Sequence, residues 1–218
     1  MKHVFVETNW VVEYGAPEHL RPPKAVELME RAAKGDLRLY IPSICLTEAR
    51  HPIRKGFNPR ASSDSLRSYL AWASTQGALR VEDSEALRRV LDRYEGTVLA
   101  ELGHVDERMG FLRKHPAIEV FPLSEEMLAY SLELSLQNLD LKPFDQSILA
   151  AVLVRGKALG AAGAYDIAFC ELDGDLQPWD KDGRSKEPLT SLYDAAGIWV
   201  YGDFAMESPA KTPSFPEV

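Results

Sequence analysis

Acidic side chains at Glu7, Glu48, Asp145, Asp173 and Asp175 each fall at or just after the end of an apolar run, or in the helical pattern that follows one. Carboxylates delivered that way to the carboxyl edge of a parallel sheet would converge in one crevice. An all-oxygen donor set of this kind suits a hard divalent cation, Mg2+ or Mn2+, and could not stay fully ionised without one. Each acid also has a plainer reading. Asp145 stands in the first turn of a helix, where the dipole favours negative charge. Glu48, taken alone, reads as a solvated helical acid, and Asp173 and Asp175 flank Gly174 as ordinary turn formers. Glu7 differs, because it ends a run that reads as a buried first strand.

The elements that must position these acids follow from pattern. Val4-Phe5-Val6 is short, apolar and partly β-branched, as a buried strand should be. Leu37 to Ile41 reads as a second strand, and Pro42 with Ser43 opens the helix carrying Glu48. Ile118 to Phe121 is a third strand, followed by a helix from Ser124 with a Ser-x-x-Met start and an expected apolar face of Met127, Leu128, Leu132 and Leu136. Pro143 marks the first turn of the Asp145 helix. Tyr165 to Cys170 reads as the fourth strand, Leu189 to Ala195 as a short helix and Ile198 to Tyr201 as the fifth strand. Strands separated by helices predict an α/β fold with a mainly parallel five-stranded sheet. We expect one domain over residues 1–206, with a helical insertion at about 52–117 and a proline-rich tail, 207–218, without structure. Within the insertion, Ser62, Ser63 and Asp64 offer helix caps, and a long helix begins near Asp83. Gly96, Gly103 and Gly110 recur every seventh residue, which predicts either close approach of another helix or a break into two.

Composition sets bounds. The 218 residues, 45% hydrophobic and 27% charged, suffice for a self-supporting core. Cys45 and Cys170 lie in apolar runs, so both read as buried, unpaired small hydrophobes in a reducing compartment. The first residues, Met1 to Glu7, meet a charge too early for a signal peptide or a membrane span, and we expect a cytoplasmic protein with no membrane contact. A net charge of −8 argues against indiscriminate nucleic-acid binding. The stretch from Arg50 to Arg60 is nonetheless basic and free of acids, and reads either as a solvated loop or as a phosphate-guiding patch, with Arg50, Arg54 and Lys55 its candidate contacts. Several chemistries drop out. There is no Walker loop; the glycines at 156, 160 and 163 follow a helix, not a strand; and no Gly-x-Ser-x-Gly elbow exists. The five histidines are scattered without zinc spacing, and the Asp173 and Asp180 turns lack the full calcium-loop pattern.

At four places the acidic segments resemble those of the PIN domain superfamily. Val4-Phe-Val-Glu7-Thr8-Asn9 is similar to its strand-one signature, hydrophobics followed by Asp-Thr/Ser-Asn, and Ile41 to Glu48 resembles its second segment. Phe144-Asp145-Gln-Ser-Ile-Leu-Ala-Ala resembles the third, and Asp173-Gly-Asp175-Leu176 the fourth. The resemblance spans residues 3 to 202 in order. It implies a three-layer PIN-like fold and a metal-dependent ribonuclease, related to the toxins of bacterial toxin–antitoxin pairs, in which Glu7, Glu48, Asp145 and Asp173, with Asp175 assisting, hold Mg2+ or Mn2+ and an RNA strand is hydrolysed. Thr8 and Asn9 would either satisfy the backbone of their turn or hold Glu7 and a water in place. Two departures stand out. Glu7 replaces aspartate, moving the carboxylate out by about 1.5 Å, and the insertion is longer than in compact toxins, offering a lid, an RNA platform or a homodimer surface. The alternatives are a catalytically degenerate RNA-binding or scaffolding module, and a toxin silenced by an antitoxin-like protein partner.

Overall fold

A computed structural model describes residues 1–137 and 139–207, with the backbone of Ala210 and Lys211. In chain order the elements are β1 (Lys2–Val6), α1 (Thr8–Gly15), a 3-10 turn (Glu18–Leu20), α2 (Pro23–Ala33), β2 (Leu37–Pro42), α3 (Ser43–Gly56), α4 (Pro59–Thr75), α5 (Val81–Gly103), α6 (Val105–Lys114), β3 (Ile118–Phe121), α7 (Glu125–Ser135), α8 (Pro143–Ala161), β4 (Ile167–Cys170), α9 (Leu189–Ala196), β5 (Ile198–Tyr201) and β6 (Ala210–Lys211).

The sheet order is β3-β2-β1-β4-β5-β6. The first five strands in that order are parallel, and β6 adds antiparallel to the edge through Tyr201 opposite Ala210. β1 is central, entirely buried from Val4 to Val6. The chain leaves β1 toward β2 and β3, then returns past β1 to β4 and β5, so the β1/β4 boundary is where the winding reverses. Right-handed crossovers in opposite directions put their helices on opposite faces. Accordingly α1, α2, α3 and α6 pack together, as do α7, α8 and α9. This is the three-layer α/β arrangement expected from the alternating pattern.

α8 is the buried helix of the fold: Ile148 through Leu153 are all 1% exposed or less. It can lie this close to the sheet because of Gly156, where an added Cβ would stand 2.6 Å from Ile198 Cδ1. Gly15 does the same for α1 against Ile53 at 2.5 Å. Gly96, Gly103 and Gly110, by contrast, face open space, so no helix approaches them. The break is the outcome instead: α5 ends at Gly103 and α6 starts at Val105.

Other expectations need correction. α7 buries Met127, Ser131 and Leu134, whereas Leu128, Leu132 and Leu136 are 49%, 72% and 82% exposed. The helix is turned by about one residue, because α8 packs against the Met127 side. Ser124 does cap it, with its Oγ accepting from Met127 N. Ser43 makes no cap bond, and α4 starts at Pro59, capped by Asn58 instead of Ser62, Ser63 or Asp64. The long helix of the insertion begins at Val81, ahead of Asp83. The segment Thr8–Gly15, of which sequence reading covers only Thr8 and Asn9, as the turn after strand one, is a helix. Cys45 and Cys170 are buried and free. Among the described residues no helix is long and apolar enough to cross a membrane. Of the tail expected to be without structure, Ala210 and Lys211 form β6, and residues 208, 209 and 212–218 lie outside the described residues.

Candidate metal centre

Glu7 follows the last residue of β1 and is the N-cap of α1. Its Oε1 accepts from Asn9 N at 2.8 Å, and the side chain is only 3% exposed. A glutamate here thus serves the helix start in the way a shorter cap residue would. Val6 pairs with Cys170, so the next residue of β4's strand path, Glu171, stands beside Glu7 across the winding reversal. Glu171 is fully buried, its Oε1 accepts from Asp173 N, and its Oε2 has no hydrogen-bond partner.

The other acids arrive from three directions. Glu48 lies on α3, half-buried, and accepts a hydrogen bond from Thr8 Oγ1. Asp145 sits in the first turn of α8, two residues after Pro143. Asp173 follows β4, where its Oδ1 accepts from Asp175 N at 2.9 Å. That loop is pinned from behind: Lys186 Nζ donates to the carbonyls of Gly174 and Asp175, both at 3.0 Å, and Tyr193 Oη donates to Leu176 O at 3.0 Å.

Electrostatics bind these positions into one group. Burial pushes the Glu7 carboxyl up to about 8, with Glu48, Asp173 and Asp145 pushing the same way against the Asn9 hydrogen bond. Burial likewise raises Glu171 far above the ordinary carboxylate range, and Glu7 raises it further. Glu48 and Asp145 are raised by burial first; Asp145 adds to the effect on Glu48, and Asp173 and Asp175 add to that on Asp145. Each of these two carboxylates disfavours the charge of the other, so Glu7 and Glu171 titrate as a pair. Lys142, the residue before α8, offsets the cluster by lowering both Glu48 and Asp145.

No protein-family model, curated protein or solved structure matches the chain. The centre therefore rests on its own geometry. Glu7, Glu48, Asp145, Asp173 and, at the rim, exposed Asp175 act electrostatically on one another. They are not drawn into a closed shell: among the described residues no three acids, histidines or cysteines are arranged to hold a metal ion. Their chemistry still fits one, since every donor is a carboxylate oxygen and the adjoining Glu171 Oε2 is buried without a partner.

The basic stretch lies differently from its reading. Arg50 Nε and Arg54 Nη2 are both committed to Asp106, at 2.9 and 2.8 Å. At about 100° per residue they leave α3 on the side away from Glu48, while Lys55, seven residues on, returns to its side about 10 Å further along. Thr8 holds Glu48, not Glu7, and Asn9 serves Glu7 through its backbone N–H. Sequence reading missed Glu171 and Lys142. The signal for Glu171 was present: an acid directly ends the apolar strand Ile167–Cys170, as Glu7 ends Val4-Phe-Val.

Proposed function

We propose that the chain is a metal-dependent ribonuclease of PIN type. The observation that carries this reading is the coupled set of carboxylates at the winding reversal, the place where open α/β sheets bind ligands. RNA as substrate follows from the resemblance of the four acidic segments. Glu7, Glu48, Asp145 and Asp173, with Asp175 assisting, would hold Mg2+ or Mn2+. A bound ion of this type supplies the positive charge that polarises a phosphodiester and stabilises its leaving oxygen. Thr8 fixes the rotamer of Glu48, and the Asn9 and Asp173 amides fix one oxygen each of Glu7 and Glu171. Lys142 stands exposed at the start of α8, beside Glu48 and Asp145, where it can receive an incoming phosphate. Cys45 is no nucleophile: burial pushes its thiol well up, keeping it protonated and inert.

A second reading, a PIN-fold module without catalysis, is favoured by the absence of a closed shell among the described residues. Incubating the purified protein with RNA and Mn2+ separates the two. The nuclease reading expects new RNA ends that vanish in chelator and fall by at least about 100-fold in Asp145→Asn, beyond what loss of an outer-shell partner costs. Equal cleavage by Asp145→Asn overturns the site as drawn, and no cleavage by the parent with any divalent ion supports the inactive module.

A further inference from the structure

Glu171 belongs to none of the four segments that suggested the activity, yet it is the deepest acid in the cluster. Three observations set it apart. It is 0% exposed and its Oε2 has no hydrogen-bond partner. Leaving a buried polar atom unpaired costs about 1–3 kcal/mol, and more for a charged one, so buried carboxylates are ordinarily paired or coordinate a metal. By contrast Glu119, 25% exposed, faces both Arg38 and Arg155, and Glu101, 23% exposed, faces Arg108. Around Glu171 the charged neighbours that act on it most are Glu7, Asp173 and Asp145. No base is among them.

Its placement repeats that of Glu7. Both follow the last residue of adjacent central strands in register, and both fix Oε1 with the backbone N–H of the residue two positions ahead. At Glu171 the second oxygen is then without a partner, where the ends of β1 and β4 lie side by side. A side chain held by one oxygen with the other left over is a preorganised ligand: its rotamer is set before any ion arrives.

We infer that Glu171 is a ligand of the divalent cation, its Oε2 and the Glu7 carboxylate together forming the floor of the metal centre, with Glu48, Asp145 and Asp173 closing over it. This rests on the metal-dependent reading above. It makes the innermost contact a pair of glutamates from β1 and the end of β4, and it explains why the fold keeps an unpaired oxygen in its interior.

Mn2+ binding, measured by calorimetry and by the electron paramagnetic resonance signal of free Mn2+, tests the assignment without any substrate. Parent, Glu171→Gln and Glu101→Gln proteins are titrated at neutral pH. Glutamine keeps an oxygen to accept from Asp173 N, so the loop stays in place, and Glu101→Gln controls for loss of a glutamate elsewhere. The inference expects Glu171→Gln to bind Mn2+ more than about 100-fold more weakly than the parent, exceeding the 10–100-fold of an outer-shell partner, and Glu101→Gln to bind as the parent does. Parent-like affinity in Glu171→Gln, or a loss within the outer-shell range, overturns the ligand role while leaving the nuclease reading to Asp145. No Mn2+ binding by the parent overturns both. Circular dichroism of Glu171→Gln separates a lost ligand from a lost fold, and a Glu171→Asp variant that regains part of the affinity without change in melting supports ligation.

Discussion

Glu101 and Glu171 are the same residue in the same chain, each accepting a backbone N–H, and they end up on opposite sides of the ordinary carboxylate range. Glu101 takes its bond from Glu18 N at 2.8 Å and then Arg108 at 3.1 Å, and both hold its carboxyl down. Glu171 takes its bond from Asp173 N, but complete burial and the charge of Glu7 outweigh it. The difference lies in the neighbours. Where α5 and α6 meet the body of the fold, acids are neutralised by arginines and tie elements together. At the carboxyl edge of β1 and β4, acids face acids. Arginines face Glu95, Glu101 and Glu119, whereas among the described residues no ion pair reaches Glu7 or Glu171; on the metal-dependent reading that charge is left for a cation.

The largest expected effect is on the neutralised side. Arg108 donates to Gly15 O at 2.9 Å, Ala16 O at 3.1 Å and Glu101 at 3.1 Å, so Arg108→Ala removes three hydrogen bonds at once, one of them an ion pair, although Ala16 O keeps Arg21 Nη2 at 3.3 Å and Glu101 keeps Glu18 N at 2.8 Å. A loss of about 3 kcal/mol in urea denaturation is expected; a loss under about 1 kcal/mol would mean these ion pairs are surface decoration.

Next comes the acidic side, with the opposite sign. A carboxyl whose folded pKa is raised binds more protons folded than unfolded, so its contribution is fully present below the unfolded value and is lost as pH rises through the folded one. For Glu7 that window runs from 4.5 to about 8. In chelator the parent should therefore lose up to about 1.4 kcal/mol per pH unit across it. Glu7→Gln should flatten that slope and be more stable than the parent by about 2 kcal/mol at pH 8. A slope unchanged in Glu7→Gln would sever Glu7 from the cluster.

Smaller effects sharpen the scaffold that holds the two regions. Gly156→Ala should cost about 1–2 kcal/mol, because its Cβ would press on Ile198 from a helix with no room to withdraw. Gly96→Ala, in open space on α5, should instead gain about 0.5–1 kcal/mol. Reversal of the two signs in thermal melts would contradict the packing described here.

Much of this was legible before any coordinates. Parallel strands buried on both faces read as continuous apolar runs, so β2, β3 and β5 stand within a residue of their expected places and β1 starts two residues before Val4, and the acids following them came with them. What escaped had a physical reason. α1 carries Trp10-Val11-Val12, a strand-like run that becomes helical because Glu7 caps it and α3 packs on it. α7 has two apolar stripes, and only its neighbour α8 decides that Met127 and Leu134 go inward while Leu132 stays out. The pairing of Arg50 and Arg54 with Asp106 joins residues more than fifty positions apart, which no local pattern announces. Glu171 was hidden by its surroundings, since an acid before Leu-Asp-Gly-Asp reads as the start of a turn until β4 is seen lying beside β1.

The central claim is that the gathered carboxylates await a divalent cation, and thermal melting in chelator against Mn2+ tests it most directly. With Mn2+ about 100-fold above its dissociation constant, the parent at neutral pH should melt about 5–10 °C higher than in chelator. Asp145→Asn should melt above the parent in chelator, relieved of one repelling charge, and respond weakly to Mn2+. A parent that melts at the same temperature in both solutions, with Asp145→Asn melting lower in each, would contradict the account.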